Sequence, residues 1–263
     1  MDSLSEVGLD HGWKLVKYNH VDSTNRALYD LAKSGSDEGL CISALHQTAG
    51  RGRLGRTWTD VPGASILFSV LLRPRFGVED YFAVPCALSL ALRDTLEDFG
   101  VSSKIKWPND LLIQDKKIAG ILSEIGDVSS SKFLVVGLGV NLNQSAHHLV
   151  ELSRKATSIR VELGTEVSDV QANSLLMSMI SRFQKSYLEL QGNFGDFILP
   201  MVSNYEKYCA TLGKSVLVEL NDRSTIQGTA ISITQQGQLI LEVGSTTRII
   251  SAGEVFHLHT SSE

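Results

Sequence analysis

The sequence contains few cysteines, and they form no recognisable pattern. Cys41, Cys86 and Cys209 are an odd, scattered set without C-x-x-C spacing. Such a set supplies neither the disulfide framework of a small secreted protein nor the ligands of a structural zinc site. The cysteines therefore predict a protein of a reducing compartment, and no residue is assigned as a metal ligand.

Long apolar runs are also missing. No uninterrupted stretch of about 18 apolar residues, the length needed to span a bilayer, occurs in the chain. Residues 1–12 carry three acidic side chains and no apolar centre, which is unlike a secretion signal. These two absences predict a cytoplasmic protein without a membrane partner.

Basic residues are fewer than acidic ones. The 263 residues contain 24 Lys and Arg against 29 Asp and Glu, which gives a net charge of -5. This balance argues against general nucleic-acid binding. The hydrophobic content of 43% is ample for a globular core, and the length allows one large domain or a large domain with a small one.

One loop departs sharply from this acidic background. Residues 50–56, here called the arginine loop, read Gly-Arg-Gly-Arg-Leu-Gly-Arg. Arginine suits phosphate and carboxylate oxygens, and glycine lets backbone N–H groups approach an anion, so the loop predicts an anion site. A solvated basic turn is the alternative. Because three like charges are costly to order without an anion, we expect a mobile loop that closes over its ligand.

The loop also fits two nucleotide-binding patterns, G-x-G-x-x-G and, with Arg56 in place of lysine, G-x-x-x-x-G-K-[ST]. Both patterns require a helix directly afterwards. Residues 57–63 are instead rich in turn formers, and residues 64–72 are apolar β-formers. The sequence therefore excludes the folds built on those patterns and predicts a loop between two strands.

Hydrophobic periodicity predicts a mixture of strands and helices, followed by a small module. Strands are predicted over residues 13–20, 40–46, 65–72, 104–107, 111–113, 118–125 and 133–140, and helices over residues 25–33, 80–99, 170–190 and 194–209. After Gly213 the apolar residues alternate with period two, which indicates an all-β module. At its size the module should dock on the larger domain.

Three further segments are unusual. Residues 106–110 place Lys, Trp, Pro, Asn and Asp in one stiff turn, and Lys117 begins an apolar strand where a half-buried ammonium group needs an anionic partner or a depressed pKa. Residues 137–143 end another strand with two glycines and two asparagines. Each segment alone also fits an ordinary turn or exposed lysine.

Together these segments carry a family resemblance. In order, they are Asp22-Ser23-Thr24-Asn25, Gln47 with the arginine loop, Lys106-Trp107-Pro108-Asn109-Asp110, Lys117 with Ala119-Gly120-Ile121, and Gly137-Leu138-Gly139-Val140-Asn141. From residue 16 to residue 256 the chain resembles the biotin protein ligases. The resemblance implies an α/β (α+β) catalytic domain, with a mixed sheet flanked by helices, over residues 1–210. It also implies a small SH3-like β-barrel over residues 211–263.

The resemblance further implies a two-step activity. The carboxylate of biotin attacks the α-phosphate of ATP, with Mg²⁺, to give biotinyl-5′-AMP and pyrophosphate. A lysine of a biotin carboxyl carrier domain of a carboxylase then takes the biotinyl group. A homodimer formed through a sheet edge is compatible with the resemblance. Bifunctional members carry an N-terminal DNA-binding domain, but only residues 1–12 precede the first predicted strand, so we expect no repressor activity and no nucleic-acid partner.

Site residues follow by matching the family pattern. For biotin they are Ser23, Thr24, Asn25, Gln47, Arg51, Gly52, Arg53 and Lys117. For ATP and the adenylate they are Arg51, Arg53, Arg56, Trp58, Asn109 and Asn141. The catalytic groups are Lys117, Arg51 and Arg53, and Asp110 is expected in the hydrogen-bond or Mg²⁺ network.

Three other functions fit parts of the pattern. A lipoate protein ligase performs the same acyl-adenylate chemistry, but the arginine loop and the Trp107-Pro108-Asn109 turn favour biotin. A non-catalytic biotin sensor or regulator would need a DNA-binding element or a broad basic face, and the sequence shows neither. A binding module that has lost catalysis is disfavoured because the arginine loop and Lys117 are both intact.

Overall fold

The computed structural model describes residues 3–151, 155–220 and 222–258. Its larger part is built on an eight-stranded sheet of order β1-β2-β3-β4-β8-β7-β6-β5. The strands are β1 (Ser3–Gly8), β2 (Lys14–Val21), β3 (Leu40–Gln47), β4 (Ser65–Leu72), β5 (Lys104–Lys106), β6 (Asp110–Ile113), β7 (Lys116–Val128) and β8 (Ser131–Asn141). Strands β2 and β3 are parallel and the other neighbours are antiparallel, so the expected mixed sheet is confirmed.

Helices cover both faces of this sheet. They are α1 (Thr24–Lys33), α2 (Ala83–Asp98), α3 (Ala146–Glu151), α4 (Ile159–Leu163), α5 (Asp169–Gly192) and α6 (Phe194–Tyr208). Helix α1 packs on one face through Ala27 and Leu28, and α2 and α5 pack on the other. No helix among the described residues combines the length and apolarity needed to cross a bilayer.

The central strand β4 shows why the sequence folds this way. Every residue of β4 is buried, because helices lie on both sides of it. Phe68 and Val70 face the main core beneath α2 and α5, whereas Leu71 belongs to the smaller cluster beneath α1. Ser69 therefore points to the α1 side, the same side as the first turn of that helix.

The C-terminal module is a five-stranded antiparallel sheet of order β12-β11-β10-β9-β13. Its strands are β9 (Ser215–Glu219), β10 (Thr225–Ile233), β11 (Leu239–Val243), β12 (Thr246–Ile250) and β13 (Glu254–His257). The module packs against the larger part: the indole of Trp107 donates to the carbonyl of Gly237 at 2.8 Å, and the backbone N–H of Ile233 donates to Glu206 at 2.7 Å. The main core continues into the module through Val216 and Val218.

Some element predictions were wrong. Strand β1 precedes the strand that was predicted as the first. All its residues are exposed and it pairs with β2 through the backbone, so no side-chain pattern predicted it. Helices α3 and α4 were missed because they are six and five residues long and are stabilised by tertiary contacts and caps, such as Ser158 at the start of α4. Helix α2 begins at Ala83, not at residue 80, and β7 extends over Lys116–Val128.

Candidate active site

A cleft opens between the start of α1, the arginine loop and strands β7 and β8. We call this site the cleft. Its lining comprises Ser23, Thr24, Asn25, Gln47, Arg51, Gly52, Arg53, Trp58, Asn109, Lys117, Gly120, Ile121, Leu122, Gly137, Leu138 and Gly139. The structure thus brings together ten of the site residues that the sequence suggested. Arg56 and Asn141 line neighbouring cavities instead.

One end of the cleft is a buried polar cluster. The backbone N–H of Thr24 donates to Gln47 Oε1 at 2.8 Å, and Ser69 Oγ lies 2.7 Å from Thr24 Oγ1 and 2.6 Å from Asn25 Oδ1. Asn25 Nδ2 donates to a carboxylate oxygen of Glu124 at 2.9 Å. Thr24, Asn25 and Ser69 are at most 4% exposed. Buried polar groups paired in this way hold a fixed set of hydrogen-bonding atoms towards the cleft.

Two glycines of β8 form the floor. A Cβ atom at Gly137 would lie 1.8 Å from Asn25 Oδ1, and one at Gly139 would lie 2.5 Å from the indole of Trp58. Neither distance is compatible with a side chain, so only glycine permits Asn25 and Trp58 to lie against the strand. The glycine-rich end of β8 therefore shapes the cleft by leaving space for its neighbours.

Lys117 lies in the middle of the cleft. Its Nζ is 2.6 Å from Asp110 Oδ1 and 5.7 Å from the centre of the Trp58 ring. The anionic partner expected for Lys117 is thus Asp110, on the adjacent strand β6. The carboxylate thus gives the partly buried ammonium group a partner of opposite charge at the cleft.

The arginine loop lies within the connection between β3 and β4 and folds back on itself. Arg51 and Thr57 pair across it, and the N–H of Trp58 donates to the carbonyl of Gly50 at 3.0 Å. A Cβ atom at Gly50 would lie 2.3 Å from the carbonyl oxygen of Trp58, so the closure requires glycine there. The loop turns the arginines towards different partners.

Each arginine has its own hydrogen-bond or ion-pair partners. Arg51 Nη1 lies 2.8 Å from a carboxylate oxygen of Glu124 on β7. Arg53 donates to the side-chain oxygen of Asn109 at 3.0 Å and to the carbonyl of Gly253 at 3.3 Å. Arg56 forms a bidentate pair with Glu254. These contacts show that the loop has internal acceptors available when no anion is bound, while its expected mobility stays a prediction.

The burial of cationic side chains and their closeness to one another determine the electrostatics of the cleft. Desolvation lowers the pKa of the Arg53 guanidinium, although the nearby Asp110 carboxylate acts in the opposite direction. Desolvation also lowers the pKa of Lys106. The carboxylate of Asp110 raises this pKa, and the positive charge of Lys117 lowers it further. Several cations thus share few carboxylates, an arrangement that favours an anionic ligand.

Two further cavities adjoin the cleft. The side cavity, of about 420 Å³, lies beyond Trp58 and is lined by Arg56 and Asn141 as well. Asn141 is only 4% exposed, and its Nδ2 donates to the carbonyl of Thr157 at 2.9 Å. The junction cavity, of about 490 Å³, is lined by Arg56, Lys106, Lys117, Lys155 and residues of the C-terminal module including Glu254 and His257.

Sequence reasoning missed three residues of this region. Ser69 and Glu124 stand behind the lining, and Glu254 comes from the C-terminal module. A weak signal existed for Ser69, a polar residue within an apolar run of β4, whereas Glu124 is one of several polar residues of β7. No local pattern could have linked Glu254 to the arginine loop, since the contact joins residues 198 positions apart.

Known proteins resemble this arrangement over nearly the whole chain. Residues 18–141 match the biotin/lipoate A/B protein ligase family, and residues 211–258 match the biotin protein ligase C-terminal domain. A biotin--[acetyl-CoA-carboxylase] ligase from Mycobacterium tuberculosis is 32% identical over 259 residues, covering 96% of this chain and 92% of that protein. One from Paracoccus denitrificans is 31% identical, covering 90% and 97%.

The fold agrees with these matches. The structure of a biotin protein ligase from Aquifex aeolicus in complex with biotin and ATP superimposes with a TM-score of 0.75 at 27% identity, over 92% of this chain and 97% of that one. The matches therefore extend through both the mixed sheet and the C-terminal module. On this sequence, fold and site geometry, the chain belongs to the biotin protein ligase family.

Proposed function

We propose that this protein activates biotin with ATP to biotinyl-5′-AMP and transfers the biotinyl group to a lysine of a biotin carboxyl carrier domain. The observation that carries the proposal is a single cleft lined both by the buried polar cluster and by the cationic groups of Arg51, Arg53 and Lys117. Relatives named as ligases of acetyl-CoA carboxylase support that enzyme's carrier domain as the acceptor.

The polar end of the cleft suits the ureido ring of biotin. Thr24, Asn25 and Gln47 supply side-chain oxygens and an amide, which match the N–H groups and the carbonyl of a ureido group. Ser23 lines the same end, and Ile121, Leu122 and Leu138 supply apolar surface for the rest of the bicyclic ring. A few fixed polar groups within an apolar wall are typical of small-molecule sites.

The cationic side chains of the cleft suit the reacting groups. Adenylation brings a carboxylate to a phosphate, and two anions repel each other. Lys117, Arg51 and Arg53 line the cleft together and would neutralise both groups, while Arg56 in the adjoining cavities is placed for the leaving pyrophosphate. Gly52 lines the same cleft, where its missing side chain leaves room for a ligand, while its backbone N–H donates to the carbonyl of Arg56 at 2.7 Å. The residues thus lower the barrier by positioning and charge compensation.

Trp58, Asn109 and Asn141 are proposed for the adenylate. Trp58 forms the wall between the cleft and the side cavity, and its Nε1 is buried without a hydrogen-bond partner among the described residues. A buried unpaired donor costs about 1–3 kcal/mol, which a ligand acceptor can recover. Asn109 lines the cleft, whereas Asn141 lines the side cavity and fixes the carbonyl of Thr157 beside Lys117.

Mg²⁺ is proposed as the companion of ATP. Among the described residues, no cluster of three or more His, Cys, Asp or Glu side chains is placed to hold a metal ion. This donor set fits a Mg²⁺ held mainly by phosphate oxygens and water, with Asp110 as the carboxylate within the cationic cluster. The ion would supply charge neutralisation on the phosphate oxygens.

The remaining features of the function are also proposals. Residues 1–210 would form the catalytic unit and residues 211–263 the C-terminal domain, which the family match over residues 211–258 supports. Three free, buried cysteines favour the cytoplasm.

The net charge of -5 disfavours nucleic acid or an acidic membrane as a partner. Strand β1 at the sheet edge offers a surface for a homodimer.

One experiment tests the function directly. The protein is incubated with biotin, Mg-ATP and an isolated biotin carboxyl carrier domain, and the acceptor is measured by mass spectrometry. We expect a mass increase of one biotinyl group on a single lysine. Lipoate replaces biotin in the parallel sample, where no increase is expected, because the C-terminal match is to biotin protein ligases. Modification by lipoate alone would overturn the proposal.

A further inference from the structure

Glu124 lies behind the cleft and contacts two groups that line it. One carboxylate oxygen accepts a hydrogen bond from Asn25 Nδ2 at 2.9 Å, and the other lies 2.8 Å from Arg51 Nη1. The side chain of Glu124 is 19% exposed, against 49% for Arg51. A single carboxylate therefore joins the polar end of the cleft to the arginine loop.

The contact with Asn25 fixes the direction of a chain of hydrogen bonds. A carboxylate and the carbonyl of Leu122 can only accept, so both receive the amide hydrogens of Asn25, and Oδ1 must accept from Ser69. The hydroxyl of Ser69 has one hydrogen, which goes to Asn25, while the single hydroxyl hydrogen of Thr24 has two acceptors within reach, Ser69 Oγ at 2.7 Å and Gln47 Oε1 at 3.1 Å. The free lone pairs of Thr24 and Asn25 are then left as acceptors in the cleft.

The second contact of Glu124 holds the side chain of Arg51 in place. Arg51 has five N–H donors in a rigid fork, and its pair with Glu124 engages Nη1. Because Arg51 also lines the cleft, its remaining donors stay available to an anionic ligand. Holding this long side chain in place before the ligand arrives removes part of the ordering cost of binding.

We propose that Glu124 is a positioning residue for the reaction: it sets the amide of Asn25 as an acceptor for biotin and holds Arg51 over the cleft. This inference rests on the proposed function. Only a carboxylate can accept from both sides at once. Glutamine has the same shape but offers one acceptor and one donor, so either Asn25 or Arg51 is left without an acceptor.

The test compares Glu124→Gln with Asp127→Asn, a matched removal of one negative charge from an exposed position of the same strand. Biotin and ATP affinities are measured by titration calorimetry, and thermal unfolding is followed by circular dichroism. Glu124→Gln should weaken biotin binding about tenfold, as expected for one charged hydrogen bond. Its melting temperature should stay close to that of Asp127→Asn.

Steady-state kinetics separate positioning from a structural role. In Glu124→Gln the KM for biotin should rise about tenfold and kcat should fall by a smaller factor, because Arg51 is held less firmly while Lys117 and Arg53 are untouched. Glu124→Ala, which removes both contacts, should raise this KM further.

Equal biotin affinity in Glu124→Gln and Asp127→Asn would overturn the positioning role. So would a parallel loss of biotin binding, ATP binding and thermal stability, since that pattern indicates a structural residue. A wild-type protein that binds no biotin would instead overturn the proposed function itself. The two failures are therefore distinguishable.

Discussion

Arg53 of the arginine loop donates a hydrogen bond to the carbonyl oxygen of Gly253, in the C-terminal module, at 3.3 Å. The next residue of the module, Glu254, pairs with Arg56 of the same loop. The loop that lines the cleft is thus held from two sides, by β7 through Glu124 and by the module. Its position depends on both parts of the protein, which explains how a small β module contributes to the site.

Replacing Lys117 by alanine should abolish adenylation without unfolding the protein. The ammonium group lies in the cleft beside Asp110, and in the proposed function it neutralises the reacting anions. Loss of one preorganised charge of this kind lowers rates by about 100- to 1000-fold. Pyrophosphate exchange measures the loss, and circular dichroism checks the fold. Lys116→Ala, an exposed neighbour, is the control, and equal activities of the two variants would contradict the assignment.

Replacing Arg53 by alanine should let the adenylate escape. Arg53 lines the cleft, and the variant removes one charge-assisted contact, worth about 3 kcal/mol for preorganised donors. Release of labelled biotinyl-5′-AMP from the protein, followed by rapid filtration, should be about 100-fold faster. The exposed Arg248 provides the control Arg248→Ala. Adenylate retention unchanged from wild type would rule out this role.

Removing the carboxylate of Glu254 should loosen the arginine loop. In Glu254→Gln the pair with Arg56 loses its charge, so trypsin should cleave within residues 50–56 faster than in wild type. Glu242→Gln, which removes a charge from an exposed position of β11, serves as the control. Biotin with ATP should protect the loop in every variant. Cleavage at the same rate with and without these ligands would show that the loop does not close over them.

Replacing Gly139 by alanine should damage the site through sterics. The new Cβ would lie within 2.5 to 2.9 Å of three indole atoms of Trp58, so the ring must move. Overpacking of this kind costs about 1–3 kcal/mol. Thermal unfolding and the KM for ATP both report the change. Gly195→Ala, in α6 where a Cβ meets nothing within 4 Å, should be neutral or stabilising. A Gly139→Ala protein with unchanged stability and KM would contradict the steric role of this glycine.

Acid should destabilise the module through His257. Desolvation, with the charges of Lys214 and Lys106, lowers the pKa of His257 to about 4. The unfolded chain binds this proton at higher pH than the folded one, so stability is lost as pH falls from about 6.5 towards 4, by up to about 3 kcal/mol. Chemical unfolding at several pH values measures this loss. His257→Gln should flatten the profile in this window, and an unchanged profile would refute the assignment.

The sequence anticipated most of the strands because alternating or continuous apolar residues report which faces are buried. Strand β4 matches its predicted bounds, and the loop between β3 and β4 was expected at the observed place. Strand β1 could not be anticipated, since its exposed side chains carry no burial pattern. Its position depends on backbone pairing with β2, which a periodicity does not encode.

The sequence alone determined the chemistry of the site. Residue types fix charge and hydrogen-bonding capacity, so they were sufficient to single out the arginine loop and Lys117, whereas the Ser23-Thr24-Asn25 segment was added by the family resemblance. Only the tertiary structure decided how their atoms pair. The register of β4 on β8 sets Ser69 opposite Gly137, and the path of the sheet brings Glu124 to Asn25 across 99 residues. The physical reason is that charge belongs to a residue, whereas a hydrogen bond needs two atoms within about 3 Å, a distance that only packing determines.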